Sequence, residues 1–231
     1  MLAHADSDWH AGMKYGLQFR DVFAAWDFLL DGLMVTLGLS VATMVGGLVI
    51  GIAGASARVY GGPVLKAIAA AYVEIIRNTP LLVQIFLIFF GLPSLGLRLE
   101  AIPAATIALI INLGAYTTEI VRAGLEAIPR SQIEAGESLG LSGWQVFRYI
   151  ILFPALKAMF PALASQFVLL MLASSIVSQI AVPDLFHAGS IIQSRTFRDF
   201  EVYAVVGALY LALAFAFRGV FALIYRWAFA R

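Results

Sequence analysis

Residues 32–57 read GLMVTLGLSVATMVGGLVIGIAGASA, 26 residues without one charged side chain. A helix crosses the hydrocarbon core of a bilayer with about 20 mostly apolar residues, so this stretch suffices alone. Four more uncharged runs follow, at 78–97, 101–118, 158–183 and 202–217. The third of the five reaches spanning length by absorbing Glu119, and the last by accepting Arg218 near one end. The whole chain agrees. Of 231 residues, 61% are hydrophobic and 13% charged, and mean hydropathy is +0.91. Soluble domains carry about twice that share of charge. Composition therefore excludes a water-soluble single domain and a disordered chain. Fifteen Lys and Arg against 14 Asp and Glu leave no basic footprint for nucleic acid. With no cysteine, there is no disulfide, thiolate metal site or cysteine nucleophile. The expectation is an all-α integral membrane protein of about five transmembrane helices.

Orientation follows from the basic residues. Segments 58–77, 122–157 and the C-terminal end hold ten Lys and Arg, among them Arg58, Arg77, Arg122 and Arg226. The opposite segments hold five, alongside nine acidic residues from Asp6 to Glu201. The bias puts the C-terminus in the cytoplasm and the N-terminus outside. Residues 1–31 form an extracytoplasmic segment, and 32–231 one transmembrane domain. The first 31 residues lack a basic start followed by an apolar core, so they do not read as a cleaved signal. No internal repeat is evident. Thr79-Pro80 and Pro161 each read as a plain helix entry, where proline costs little. The stretch 67–77 reads either as an amphipathic interfacial segment or as the lower part of a long second span.

The polar stretch 122–157 between the third and fourth spans is too long for a mere connection, which takes about 2–8 residues. Ser131-Gln132-Ile133-Glu134 has the form of a capping box. A short helix from it would run to Leu139, with Gly140 ending it in the left-handed conformation. Ser142-Gly143-Trp144-Gln145 is a second box, opening a helix through Phe147 and Ile151. Such a two-helix loop, about 124–157, either lies on the bilayer with Leu139, Leu141, Trp144 and Phe147 immersed, or offers a knob to a soluble partner with Glu134 and Glu137 outermost.

Polar residues inside spans mark where function would sit. Asn112, Tyr116 and Glu119 fall at i, i+4 and i+7, one face of a helix. Glu119 has Arg122 at i+3, so a local ion pair at the cytoplasmic boundary competes with a role in a path. Gln166, Ser174, Ser175, Ser178 and Gln179 suggest a polar lining, although such residues also join helices in lipid. Gly47 and Gly51 make a GxxxG face for close packing. There is no phosphate-binding G-x-x-x-x-G-K-[ST], and His4, His10 and His187 form no catalytic or metal-ligating constellation with other residues. The chain is therefore expected to be non-catalytic, with no metal or cofactor of its own.

Glu134-Ala135-Gly136, three residues, Gly140, nine residues and Ile150-Ile151-Leu152 closely resemble the EAA loop of ABC importer permeases, E-A-A-x3-G-x9-I-x-L-P. Other stretches resemble the polar amino acid branch of that family. They include Arg77-Asn78-Thr79-Pro80-Leu81-Leu82-Val83-Gln84, Asn112-Leu113-Gly114-Ala115-Tyr116 and Val182-Pro183-Asp184-Leu185. The likeness extends from about residue 32 to the end. It departs at Gly136, where the motif has alanine, and at Phe153, with Pro154 displaced by one. Where many relatives carry K-D-T-S, this chain has Leu172-Ala173-Ser174-Ser175.

The resemblance implies a polar amino acid permease of the bacterial inner membrane. Two permeases would surround a path, with two ATPase subunits carrying ATP and Mg²⁺ below and an amino-acid-binding protein above. Glu134, Ala135, Gly136, Leu139 and Gly140 would couple to the ATPase. Asn112, Tyr116, Glu119, Gln166, Ser174 and Ser175 would face the path. The missing Lys and Asp favour a heterodimer over a homodimer. The alternative is a passive channel or membrane scaffold whose two-helix loop lies on the lipid.

Overall fold

Hydropathy and helix length carry straight through to the architecture of the computed structural model, which describes residues 16–229. A short turn of helix, α1 (Arg20–Ala24), leads into α2 (Trp26–Tyr60). Next come α3 (Pro63–Arg77) and α4 (Leu81–Phe86), the latter prolonged by a π turn over Leu87–Gly91 and a 3₁₀ turn over Leu92–Leu95. Then follow α5 (Ala101–Glu126), α6 (Arg130–Ser138) and α7 (Gly143–Gln145), which runs through a π turn into α8 (Leu152–Ala173). A 3₁₀ turn (Ser174–Ile180), α9 (Leu185–Thr196) and α10 (Asp199–Phe229) complete the described residues, which contain no strand. Four helical stretches are long and apolar enough to cross a membrane: α2, α5, 143–180 and α10.

The second span is not one helix. The α3 axis and the Leu81–Leu95 axis meet at 106°. At about 1.5 Å per residue, each 15-residue arm reaches roughly 22 Å, too short to cross alone. Counted together as one bent pair, with 63–77 as one arm, they bring the candidate spans to five. The cause of the bend lies in Thr79-Pro80. Proline offers no N–H to continue the helix and pushes the residue before it out of the helical region. The freed carbonyls find a partner in Gln84, whose side-chain amide donates to Ile76 O (2.8 Å) and Thr79 O (2.9 Å). Pro161 also differs from its expected place, because α8 begins at Leu152 and sets the proline inside the helix. Its missing N–H leaves the carbonyl of Lys157 without an i→i+4 donor.

The core is a helix seam. Helices α2 and α5 run parallel, and the glycines of α2 bring their backbones together. A Cβ on Gly46 would stand 2.6 Å from Ile110 Cδ1, and one on Gly47 2.6 Å from Leu113 Cδ2. One on Gly51 would press into the Thr117 side chain and stand 3.0 Å from its backbone carbonyl carbon. The GxxxG face therefore packs within the chain.

Helix α9 was not foreseen, being short and mixed in polarity. It is pinned to the α2 and α10 ends farthest from α6. The Asp184 carboxylate caps it by accepting from the His187 N–H (2.9 Å), and the Tyr210 hydroxyl donates to its other oxygen (3.3 Å). Thr36 of α2 accepts from the Leu185 N–H (3.0 Å). Burial pushes the Asp184 carboxyl up to about 6, against about 3.9 in an unfolded chain. Between those values the folded state binds more protons than the unfolded state, so this group's stabilisation declines as pH rises from about 4 to 6. Asp184→Asn should remove that component. Thermal unfolding in detergent across this range should show the wild-type minus variant Tm difference falling with pH; a constant difference would contradict it.

Candidate functional site

Two features stand apart from packing: a projecting helix at one end and a pair of cavities along α5 and α8. The projecting helix is α6. Pro129, not Ser131, stands at its N-cap, so Ser131 lies inside the helix and the first expected capping box is absent. Its C-terminus follows expectation. Gly140 has φ +79°, and the Gly140 and Leu141 N–H groups donate to Glu137 O (2.9 Å) and Gly136 O (3.2 Å). Those two bonds make a Schellman stop. The second box is present, with the Ser142 N–H donating to Gln145 Oε1 at 2.8 Å. The helix it opens continues into α8 rather than forming a separate element.

This arrangement presents apolar side chains to solvent. Leu139 is 81% exposed and Trp144 70%, with the Trp144 ring stacked on Phe147 at 5.7 Å. Glu134, Ala135 and Gly140 are also exposed, whereas Gly136 is buried. A Cβ at Gly136 would run into Ile150 Cδ1. Glycine in place of the motif's alanine thus lets α6 seat against the π turn at the base of α8.

The first cavity, about 480 Å³, lies at the bend between α3 and α4. Arg77, Asn78 and Thr79 line one side, Asn112 and Tyr116 of α5 another, and Gln166 of α8 a third. Asn112 donates to Gln84 Oε1 (3.0 Å), which orients both amides. The Arg77 guanidinium lies over the Tyr116 ring, 5.3 Å from its centroid. A second cavity of about 460 Å³ continues towards α6 and shares Arg77, with Glu119 and Arg122 in its wall. Glu119 is clamped there. Arg58 of α2 reaches it at 2.6 Å and Arg122 at 2.8 Å, and Arg122 also holds Glu126 at 2.5 Å.

Asn112, Tyr116 and Gln166 therefore meet at one cavity, while Glu119 belongs to the next. Ser174 and Ser175 line neither cavity. Their hydroxyls donate to the carbonyls of Met171 (2.7 Å) and Leu172 (3.0 Å), the i−3 acceptors that a 3₁₀ turn presents. Of the expected polar lining over 166–179, Gln166 lies at the first cavity. Sequence reasoning missed Arg77, which read as a cytoplasmic flank, and Asn78 and Thr79, which read as the start of the second span. The usable signal was a proline break flanked by polar residues in an apolar run.

A bent helix pair opening on a polar cavity, with a short helix projecting at one end of the bundle, suits the membrane component of a transport system. Residues 32–229 match the family of binding-protein-dependent transport system inner membrane components, and the chain belongs to that family. It is 37% identical over 194 residues to the glutamine transport system permease protein GlnP of Escherichia coli (strain K12), covering 83% of this chain and 89% of that protein. It is 38% identical over 192 residues to the probable glutamine ABC transporter permease protein GlnM of Bacillus subtilis (strain 168), covering 83% and 89%. The crystal structure of an amino acid ABC transporter with histidines superposes with a TM-score of 0.86 at 36% identity, over 91% of this chain and 99% of that one. An inward-facing MetNI methionine ABC transporter shares the fold, with a TM-score of 0.73 at 21% identity over 89% and 98%.

Proposed function

We propose that this chain forms the path by which a polar amino acid enters the cell, driven by separate ATPase subunits that bind ATP and Mg²⁺. The observation that carries the reading is α6: a nine-residue helix, anchored at Gly136, displaying Glu134, Ala135 and Leu139 to solvent. A polar, partly acidic helix with Leu139 and Trp144 exposed just beyond its end fits a cleft on a soluble partner. Its motion would pass to α8, because α6 seats on the π turn that opens into α8. Both cavities have α8 as a wall, so tilting α8 changes access to them.

Within the first cavity, Arg77 supplies a cation for an amino acid's carboxylate, and Asn112, Tyr116 and Gln166 offer neutral hydrogen-bonding groups. Glu119, saturated by two arginines, ties α2 to α5 rather than touching substrate. In the proposed assembly the N-terminus lies outside and the C-terminus in the cytoplasm, with a binding protein above. A second, different permease is favoured as partner, since Leu172-Ala173 stand where many relatives have charged residues.

ATP-dependent uptake of labelled glutamine and other polar amino acids, by the complete importer in proteoliposomes, tests this function. Arg77→Gln should raise the half-saturating concentration at least about tenfold, the scale of a hydrogen bond to a charged group. Substrate flux that persists without ATP or the ATPase would favour the passive channel instead.

A further inference from the structure

A third cavity, about 330 Å³, lies between α8 and α10, away from the polar path. Its walls are apolar and aromatic. Phe160 meets Phe221 at 6.4 Å and Tyr225 at 5.8 Å between ring centroids. Two arginines line it, Arg218 and Arg226, both exposed. Neither has an ion-pair partner among the described residues.

Arg218 directly follows the uncharged run 202–217, so it stands where the last span leaves the hydrocarbon. Arg226 lies two helical turns further, about 12 Å along the axis. In the proposed orientation both cations sit at the inner headgroup level. A guanidinium at that level reaches into the headgroups, where a lipid phosphate is a charge-matched hydrogen-bond acceptor. An aromatic-walled groove suits an acyl chain, and a phosphate reached by both arginine side chains would supply the charge.

We infer that this groove binds an anionic phospholipid of the inner leaflet, its phosphate held by Arg218 and Arg226 and an acyl chain lying against Phe160, Phe221 and Tyr225. Charge complementarity selects this occupant: a basic pocket between helices on the cytoplasmic side favours anionic over zwitterionic headgroups.

Native mass spectrometry of the assembled importer tests the site, with dioleoyl phosphatidylglycerol and dioleoyl phosphatidylcholine supplied in turn. Phosphatidylglycerol should be retained in excess, and Arg218→Gln with Arg226→Gln should cut that retention roughly tenfold or more. Ser165→Trp, which fills the groove and keeps both arginines, should displace the same lipid and serves if the double variant fails to assemble. Equal retention of the two lipids, or phosphatidylglycerol retention unmoved by these changes, would overturn the proposal. So would disulfide formation between permease subunits carrying Ser165→Cys, feasible because the native chain has no cysteine. That result would make the groove a contact between permease copies.

Discussion

Gly51→Leu is expected to prevent the folded permease from accumulating. Even the first carbon of the new side chain meets Thr117, including its backbone carbonyl carbon at 3.0 Å, and both residues are buried in the α2–α5 seam. A backbone neighbour cannot turn aside as a rotamer can, so the two helices must separate. Overpacking typically costs about 1–3 kcal/mol, and forcing a whole seam apart lies at the upper end or beyond. Against a total stability of about 5–15 kcal/mol, that loss is large. Size-exclusion chromatography in mild detergent should show an aggregated Gly51→Leu variant beside a monodisperse Gly38→Leu control, whose site has open space around it. Equal behaviour of the two would contradict the seam.

Gly140→Val is expected to cut ATP-driven uptake sharply while leaving the bundle folded. At φ +79° a β-branched residue is strongly disfavoured, whereas space around the position is open. The penalty therefore falls on the backbone turn alone. It would undo the Schellman stop and let α6 continue or fray, displacing the exposed Leu139 at its C-cap. Uptake in proteoliposomes should drop roughly 5- to 30-fold, on the scale of about 1–2 kcal/mol for a left-handed non-glycine residue. Gly140→Asn, which tolerates the conformation, should retain most activity. Loss of uptake with asparagine as well would point to a side-chain clash with the partner instead.

The single-helix spans were legible because lipid leaves so few options: an uncharged run of sufficient length must form internal hydrogen bonds, and a helix supplies them. Gly140 and the Ser142–Gln145 box were legible because their requirements are local. What escaped was decided by distant partners. Run 78–97 has the hydropathy of a span, yet Pro80 breaks it, and the break persists because Gln84 supplies donors to the carbonyls left open. Arg77 looked like an ordinary flanking cation until the 106° bend brought it over Tyr116. Glu119 could be paired with Arg122 from spacing alone, but Arg58 lies 61 positions earlier and only the fold delivers it. The bonds of the Ser174 and Ser175 hydroxyls to the backbone of their own turn were likewise hidden, because they follow from the 3₁₀ geometry there.

The central claim is that a separate ATPase drives this permease through α6. Its most direct test is an affinity pull-down in mild detergent, comparing the intact chain with a Glu134→Ala, Gly140→Val double variant whose chromatographic profile matches wild type. Recovery of a phosphate-loop ATPase with the intact chain alone is the predicted result. Equal recovery with both would remove α6 as the docking site, and no ATPase with an intact native complex would contradict the driven importer itself.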